Sequence, residues 1–170
     1  MTRFGYVVTT YFTMLAVGLS VFLHPTPRLI WNASASVPIG LYAVQPAGVL
    51  HVTDLVVIRP PEPLASFLAD RGYLPKGVPL LKRVLALPGQ TVCRTDRTIT
   101  VDGIAIGEAL ERDRRGRTLP VWRGCRTVSA TEVFLMNWRS EDSLDGRYFG
   151  LLPVSSIVGR AEPLWTNEED

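Results

Sequence analysis

Residues 4–23 (FGYVVTTYFTMLAVGLSVFL) carry no charged side chain. The run is about 20 residues, the length a helix needs to cross a bilayer core. Arg3 precedes it, and a basic flank favours the cytoplasmic side. His24-Pro25-Thr26-Pro27 then stops the helix, because proline cannot continue it. The pattern predicts an uncleaved anchor over residues 1–24 and a separate domain over residues 25–170, outside the cytoplasm. Two other readings stay open. In one the segment is a cleaved signal peptide with Ala33-Ser34-Ala35 as its cleavage site, although the apolar run is longer than usual and that site lies well beyond it. In the other the segment is a buried core helix.

After the anchor the pattern changes to short strands. Residues 40–44 are a brief apolar run. Residues 50–58 (LHVTDLVVI) are β-branched and end at Pro60-Pro61. Residues 63–71 read as a short helix that begins with proline and is closed by Gly72. Residues 80–87 (LLKRVLAL) fit either period, and the Pro88-Gly89 turn before Thr91-Val92 favours a strand. Residues 98–106 (TITVDGIAI) alternate around Asp102-Gly103, a type I′ hairpin signal. Residues 132–137 and 156–164 complete the strands, and residues 166–170 form an acidic tail. Many short strands with Gly and Pro punctuation predict a mostly β domain with one short helix in an insert.

Composition changes this picture little. Apolar residues make up 46% of the chain and charged residues 20%, so a packed core is expected rather than disorder. The formal net charge is +2, with Lys and Arg scattered, which argues against a nucleic-acid partner. Cys93 and Cys125 are not in a C-x-x-C spacing. In the cytosol they would be small buried hydrophobes. In an exported domain a disulfide is expected. Two cysteines and two histidines, all scattered, do not make a zinc site, so neither metal nor cofactor is expected.

Three polar clusters lie in apolar or turn-rich surroundings. In the first, Ser34 and Ser36 precede Pro38 and Gly40, which fix the backbone after them. A nucleophilic serine needs such a rigid turn and donors for a developing oxyanion. The plain alternative is a Ser-rich loop. In the second, Lys82 lies inside an apolar strand. Desolvation disfavours the ammonium form, and a lysine so lowered can act as a general base. The alternative is an edge-strand lysine reaching into solvent. Lys82 and Arg83 must face opposite ways on a strand. In the third, residues 137–150 combine Ser143, Asp145 and Arg147 with aromatics. Here Ser143 is placed to hydrogen-bond a neutral lysine and Asp145 to pair with Arg147; otherwise the segment is a polar turn. The rival bases are His24, beside the apolar segment, and His51, which opens a β-branched strand. Asn32-Ala33-Ser34 also matches the weak glycosylation sequon.

Taken in order, these clusters resemble the type I signal peptidase family, and within it the conjugative-transfer branch of TraF-type pilin-maturation peptidases. The family's serine box is matched by Ser36-Val37-Pro38, its lysine box by Lys82-Arg83-Val84 with Pro88-Gly89, and its third box by Asp142-Ser143-Leu144-Asp145-Gly146-Arg147-Tyr148. Asp54-Leu55-Val56-Val57 and Gly159-Arg160 match further family strands. The chain departs from general signal peptidases in having Val37 after the serine and Met136-Asn137-Trp138 in place of a Gly-Asp-Asn box. It also lacks their extra β-domain. The cysteines and the Pro-rich insert at residues 60–79 are similar to the conjugative branch.

The resemblance implies a signal-peptidase-like all-β serine endopeptidase. Ser36 would be the nucleophile and Lys82 the general base. Asp145 is implicated in activity in that branch. Ser34 and the Ser36 amide would hold the oxyanion, Ser143 would orient the lysine, and Arg147 would support Asp145. Leu80, Leu81 and Ile39, with Val84 and Leu41, are candidates to line the substrate pockets; ordinary core is the alternative. The implied place is the bacterial inner membrane, with one pass through the lipid bilayer and a periplasmic catalytic domain. The implied substrate is a pilin precursor, cleaved or cyclised. The rivals are a general peptidase acting on signal-peptide-bearing preproteins, an inactive anchored β-domain that binds a secretion partner, and a self-cleaving regulator.

Overall fold

A computed structural model describes residues 2–20 and 28–167. The chain opens with helix α1 (Arg3–Ser20), none of whose residues is buried. Its 18 residues span about 27 Å. Among the described residues no helix is long and apolar enough to cross a membrane. The last part of the expected anchor, residues 21–24, lies outside the described residues.

Strands β1 (Leu29–Asn32), β2 (Ile39–Gln45) and β3 (Leu55–Ile58) follow, then helix α2 (Glu62–Asp70) and β4 (Leu80–Ala86). Next come β5 (Thr91–Thr95), β6 (Thr98–Val101), β7 (Ile104–Glu108), β8 (Gly124–Thr127) and β9 (Glu132–Leu135). A single-turn helix α3 (Gly146–Phe149), β10 (Leu151–Pro153) and the long β11 (Ile157–Asn167) end the chain. Seven strands form one antiparallel sheet in the order β1-β2-β11-β3-β4-β9-β10, and four form a second in the order β7-β6-β5-β8. The mostly β expectation therefore holds.

Burial explains why the sheets form where they do. All four residues of β3 are buried, as suits a strand at the centre of a sheet covered on both faces. Val56, Ile58 and Val84 pack with Val133 and Leu135 of β9 in one cluster. A second cluster, with Val37, Tyr42, Val57 and Leu81, lies beneath the Ser-rich turn. Val84 is therefore core rather than pocket wall. The small sheet packs Val92, Ile99 and Val101 against Phe134 and Met136. Asp102 (φ +50°) and Gly103 (φ +82°) both adopt the left-handed region that a type I′ turn requires.

Two expected boundaries move. The strand read over residues 50–58 begins only at Leu55. Residues 51–54 turn instead, with Thr53 at φ +81° and the His51 amide donating to the Asp54 carboxylate at 2.9 Å. At the C-terminus, Thr166 and Asn167 are not tail but strand, because they pair with Gly40 and Ile39 of β2.

Cys93 on β5 faces Cys125 on β8 across the ladder, and the two form a disulfide. Gly40, at φ +154°, is a close-approach site. A Cβ there would lie 2.1 Å from the Trp165 carbonyl oxygen, beside the bulge in β11. Gly40→Ala should therefore prise β2 from β11 and cost at least about 2 kcal/mol, read as a lower urea midpoint with an unchanged slope.

Candidate active site

The serine turn is built by one asparagine. Asn32 is buried at the end of β1. Its Nδ2 donates to the carbonyls of Ser34 (2.8 Å), Val37 (3.1 Å) and Pro38 (3.0 Å). Its Oδ1 accepts from the Ser34 amide (3.1 Å) and the Ser34 hydroxyl (3.0 Å). The Tyr42 hydroxyl also donates to the Pro38 carbonyl at 2.6 Å. These bonds hold residues 34–38 in one conformation and leave the Ser34 and Ser36 hydroxyls 3.2 Å apart. The Ser34 hydroxyl has one hydrogen, already given to Asn32, so in this arrangement it is the acceptor for Ser36.

The lysine is set by a second asparagine. Lys82 is 5% exposed, near the middle of β4. Asn137 brackets it: Oδ1 accepts from the Arg83 amide at 3.0 Å, and Nδ2 donates to the Leu81 carbonyl at 3.1 Å. Arg83 points the other way, donating to the Thr53 carbonyl at 3.1 Å and lying over the Trp138 ring. The Lys82 ammonium donates to the Ser143 hydroxyl at 2.7 Å. Burial lowers its pKa from 10.5 to about 8; the nearby Asp145 charge opposes that shift and the Arg147 charge adds to it.

Behind the lysine lies a buried ion pair. The Asp145 carboxylate accepts from Nε and Nη2 of Arg147, each at 2.9 Å, and from the Asn137 and Arg147 amides, each at 3.1 Å. Asp145 also caps α3 through that Arg147 amide. Arg147 Nη2 donates further to the carbonyls of Ser140 (2.6 Å) and Ser143 (3.2 Å). Arg94 of β5, also buried, donates to the Arg147 carbonyl at 2.5 Å and so ties the small sheet to this loop. The Asp145 carboxylate is thus fully engaged by protein donors and bonds none of the reacting groups.

Ser34, Ser36, Lys82 and Ser143 line one cleft of about 470 Å³. Leu80 and Leu81 line it too, whereas Ile39 and Leu41 are not among its lining residues. Among the described residues no histidine lines it: His51 is exposed in its turn, and His24 lies outside the described residues. Asn32 and Asn137 are the residues that sequence reading missed. Asn32 had a signal, since an Asn two residues before a Ser is the pattern of an Asx turn. Asn137 had only its place at the head of the third cluster, in the segment that stands for the Gly-Asp-Asn box.

A serine turn and a buried lysine thus open on one cleft of an antiparallel β fold. The comparisons give the class, a serine peptidase. The family described as signal peptidase, peptidase S26, matches residues 1–165, and the chain belongs to it. It is 33% identical over 144 residues to the plasmid transfer protein TraF of Escherichia coli, covering 79% of this chain and 81% of that one. It is 34% identical over 147 residues to the conjugal transfer protein TraF of Agrobacterium fabrum, with the same two coverages. A probable signal peptidase I-1 of Synechocystis is 34% identical over 111 residues, 65% of this chain and 52% of that one.

Proposed function

We propose that the chain is a membrane-anchored Ser/Lys endopeptidase that processes a pilin precursor in conjugative transfer. The observation that carries this reading is that Ser36 and Lys82, distant in sequence, line one cleft in which the lysine is desolvated and held by Ser143. The neutral Lys82 amine takes the Ser36 proton as Oγ attacks the scissile carbonyl. The Ser36 amide, with Ser34 turned from Asn32, donates to the oxyanion. The lysine then gives its proton to the departing amine, leaving an ester on Ser36. Water, deprotonated by Lys82, attacks that ester and releases the acid; an amine of the same substrate attacking instead releases a cyclic product. Asp145 and Arg147 act by positioning. They fix Ser143 and set the field at the lysine.

The transfer-protein names of the relatives favour a pilin precursor over general preproteins. The uncharged segment from residue 4 to residue 23 supplies the anchor, with the β domain on the periplasmic face of a bacterial inner membrane. The disulfide suits that oxidising compartment. A general signal peptidase is the second reading, favoured by the Synechocystis relative.

Mass spectrometry of a co-expressed candidate pilin precursor tests the proposal. Wild type should convert it to a shorter product, whose mass tells linear from cyclic, and Ser36→Ala should leave it intact. Processing that survives Ser36→Ala would mean an anchored binding domain and not a peptidase.

A further inference from the structure

A second cleft, of about 360 Å³, shares Ser34, Ser36, Tyr73, Asp142 and Leu144 with the lysine cleft. The lysine cleft runs along β4; this one has Asp142, Leu144 and Tyr148 of the third box on one side and a wall of residues 110–119, a segment that carries none of the family boxes, on the other. The wall is well built. Arg112 and Thr118 form an isolated antiparallel bridge. The Asp113 carboxylate accepts from the Arg115 amide (2.9 Å), the Arg117 amide (2.8 Å) and Arg117 Nε (2.7 Å), and also from the Tyr73 hydroxyl. Arg71 Nη1 pins the Thr118 carbonyl at 2.7 Å.

The charges of this cleft pair off unevenly. Asp113 is matched by Arg117, and Asp142 by Arg114. The Arg115 guanidinium is left without an ion-pair or hydrogen-bond partner among the described residues. It is exposed, and its Nη1 lies 4.0 Å from where a Cβ on Gly72 would sit, against the cleft wall. Leu110, Leu119 and Leu144 line the same space. An unmatched guanidinium over an apolar floor suits a short extended peptide that carries a carboxylate.

We propose that this cleft holds the part of the substrate released on cleavage, and that Arg115 selects an acidic side chain there, within the first few residues after the scissile bond. The proposal rests on the Ser36/Lys82 reading, with the acyl side of the substrate along β4. A peptide passing over Ser36 must leave the lysine cleft, and the space it enters is the one Arg115 borders.

The test uses the full chain and internally quenched alanine-based peptides. They all end as amides and differ only in Glu, Gln or Lys, placed either before or after the scissile bond. Wild type should favour Glu over Gln by about fivefold in kcat/KM, as an exposed ion pair allows, with the gap closing at high salt. Arg115→Glu should reverse the preference towards Lys. The readout is the ratio between peptides within each variant, so a general loss of activity does not mimic it. Fluorescence anisotropy of the same peptides on Ser36→Ala gives the charge preference without cleavage. Equal binding of Glu and Lys peptides, a ratio that Arg115→Glu leaves unmoved, or a preference for Glu before the bond would each overturn the proposal. Failure of wild type to cleave any peptide, with the binding preference intact, would instead overturn the peptidase reading alone.

Discussion

Lys82→Met should leave a folded protein whose peptide cleavage is at least about a thousandfold slower than wild type, the scale of losing a positioned general base. Methionine keeps the length and fills the same buried slot without the amine. In wild type the rate should rise with pH through an apparent pKa of about 8, because in the proposed mechanism only the neutral amine takes the Ser36 proton. The same lowering has a consequence for stability. Below pH about 8 the lysine is charged in both folded and unfolded chains, and burying that charge costs on the order of 3 kcal/mol. Between about 8 and 10.5 the unfolded chain holds a proton that the folded chain has lost, so stability rises with pH. Lys82→Met is therefore expected to be at least as stable as wild type at pH 7, with its advantage shrinking as pH is raised across that window. Urea unfolding at several pH values checks this. A variant that is inactive and also much less stable at pH 7 would show that Lys82 contributes mainly to the fold.

Asp145→Ala should cost about 3–5 kcal/mol, because it leaves the Arg147 guanidinium, 2% exposed, buried without its counter-charge. Against a total of about 5–15 kcal/mol that is enough to unfold much of the protein at 37 °C. The Asn137 and Arg147 amides bond different oxygens of the carboxylate, so Asp145→Asn keeps an acceptor for one of them and should lose less than Asp145→Ala. Its informative effect is on the pH profile. The Asp145 charge opposes the lowering of the Lys82 pKa, so removing it should move the midpoint of the rate profile below 8. A purely structural aspartate would change the amplitude of that profile and leave its midpoint in place. The pair Asp145→Leu with Arg147→Met should recover stability, as apolar replacements of buried ion pairs do, without recovering the wild-type profile.

Much of this was legible in the sequence, and the misses have physical reasons. The hairpin at Asp102-Gly103, the strand holding Lys82 and the helix closed by Gly72 all follow from local rules of turn chemistry and alternation. Strand β8 did not, because all four of its residues are exposed and no apolar period marks it. Strand β1 lies between the N-terminal apolar segment and the serine box, and alternates too briefly to stand out. The 51–54 turn was hidden inside a β-branched run, where only the left-handed Thr53 breaks the strand. In the site, Ser36, Lys82, Ser143, Asp145 and Arg147 were marked by an order of boxes. The two asparagines that hold them work through backbone groups, and such bonds leave no pattern in composition or period. Residues 110–119 read as an arginine-rich connection, since the cancellation of Arg114 and Arg117 by acids needs the folded chain to be seen.

The pairing of β2 with β11 bears on when the site can exist. Ser36 lies in the turn just before β2, and Gly40 and Ile39 pair with Thr166 and Asn167, about three quarters of the chain's length away. A ribosome thus delivers Ser36 early and its supporting strand last. Contacts of such long sequence separation are slow to form, so the serine turn gains its final support only after synthesis reaches β11. A nascent or C-terminally clipped chain carries Ser36 without the strand that braces it.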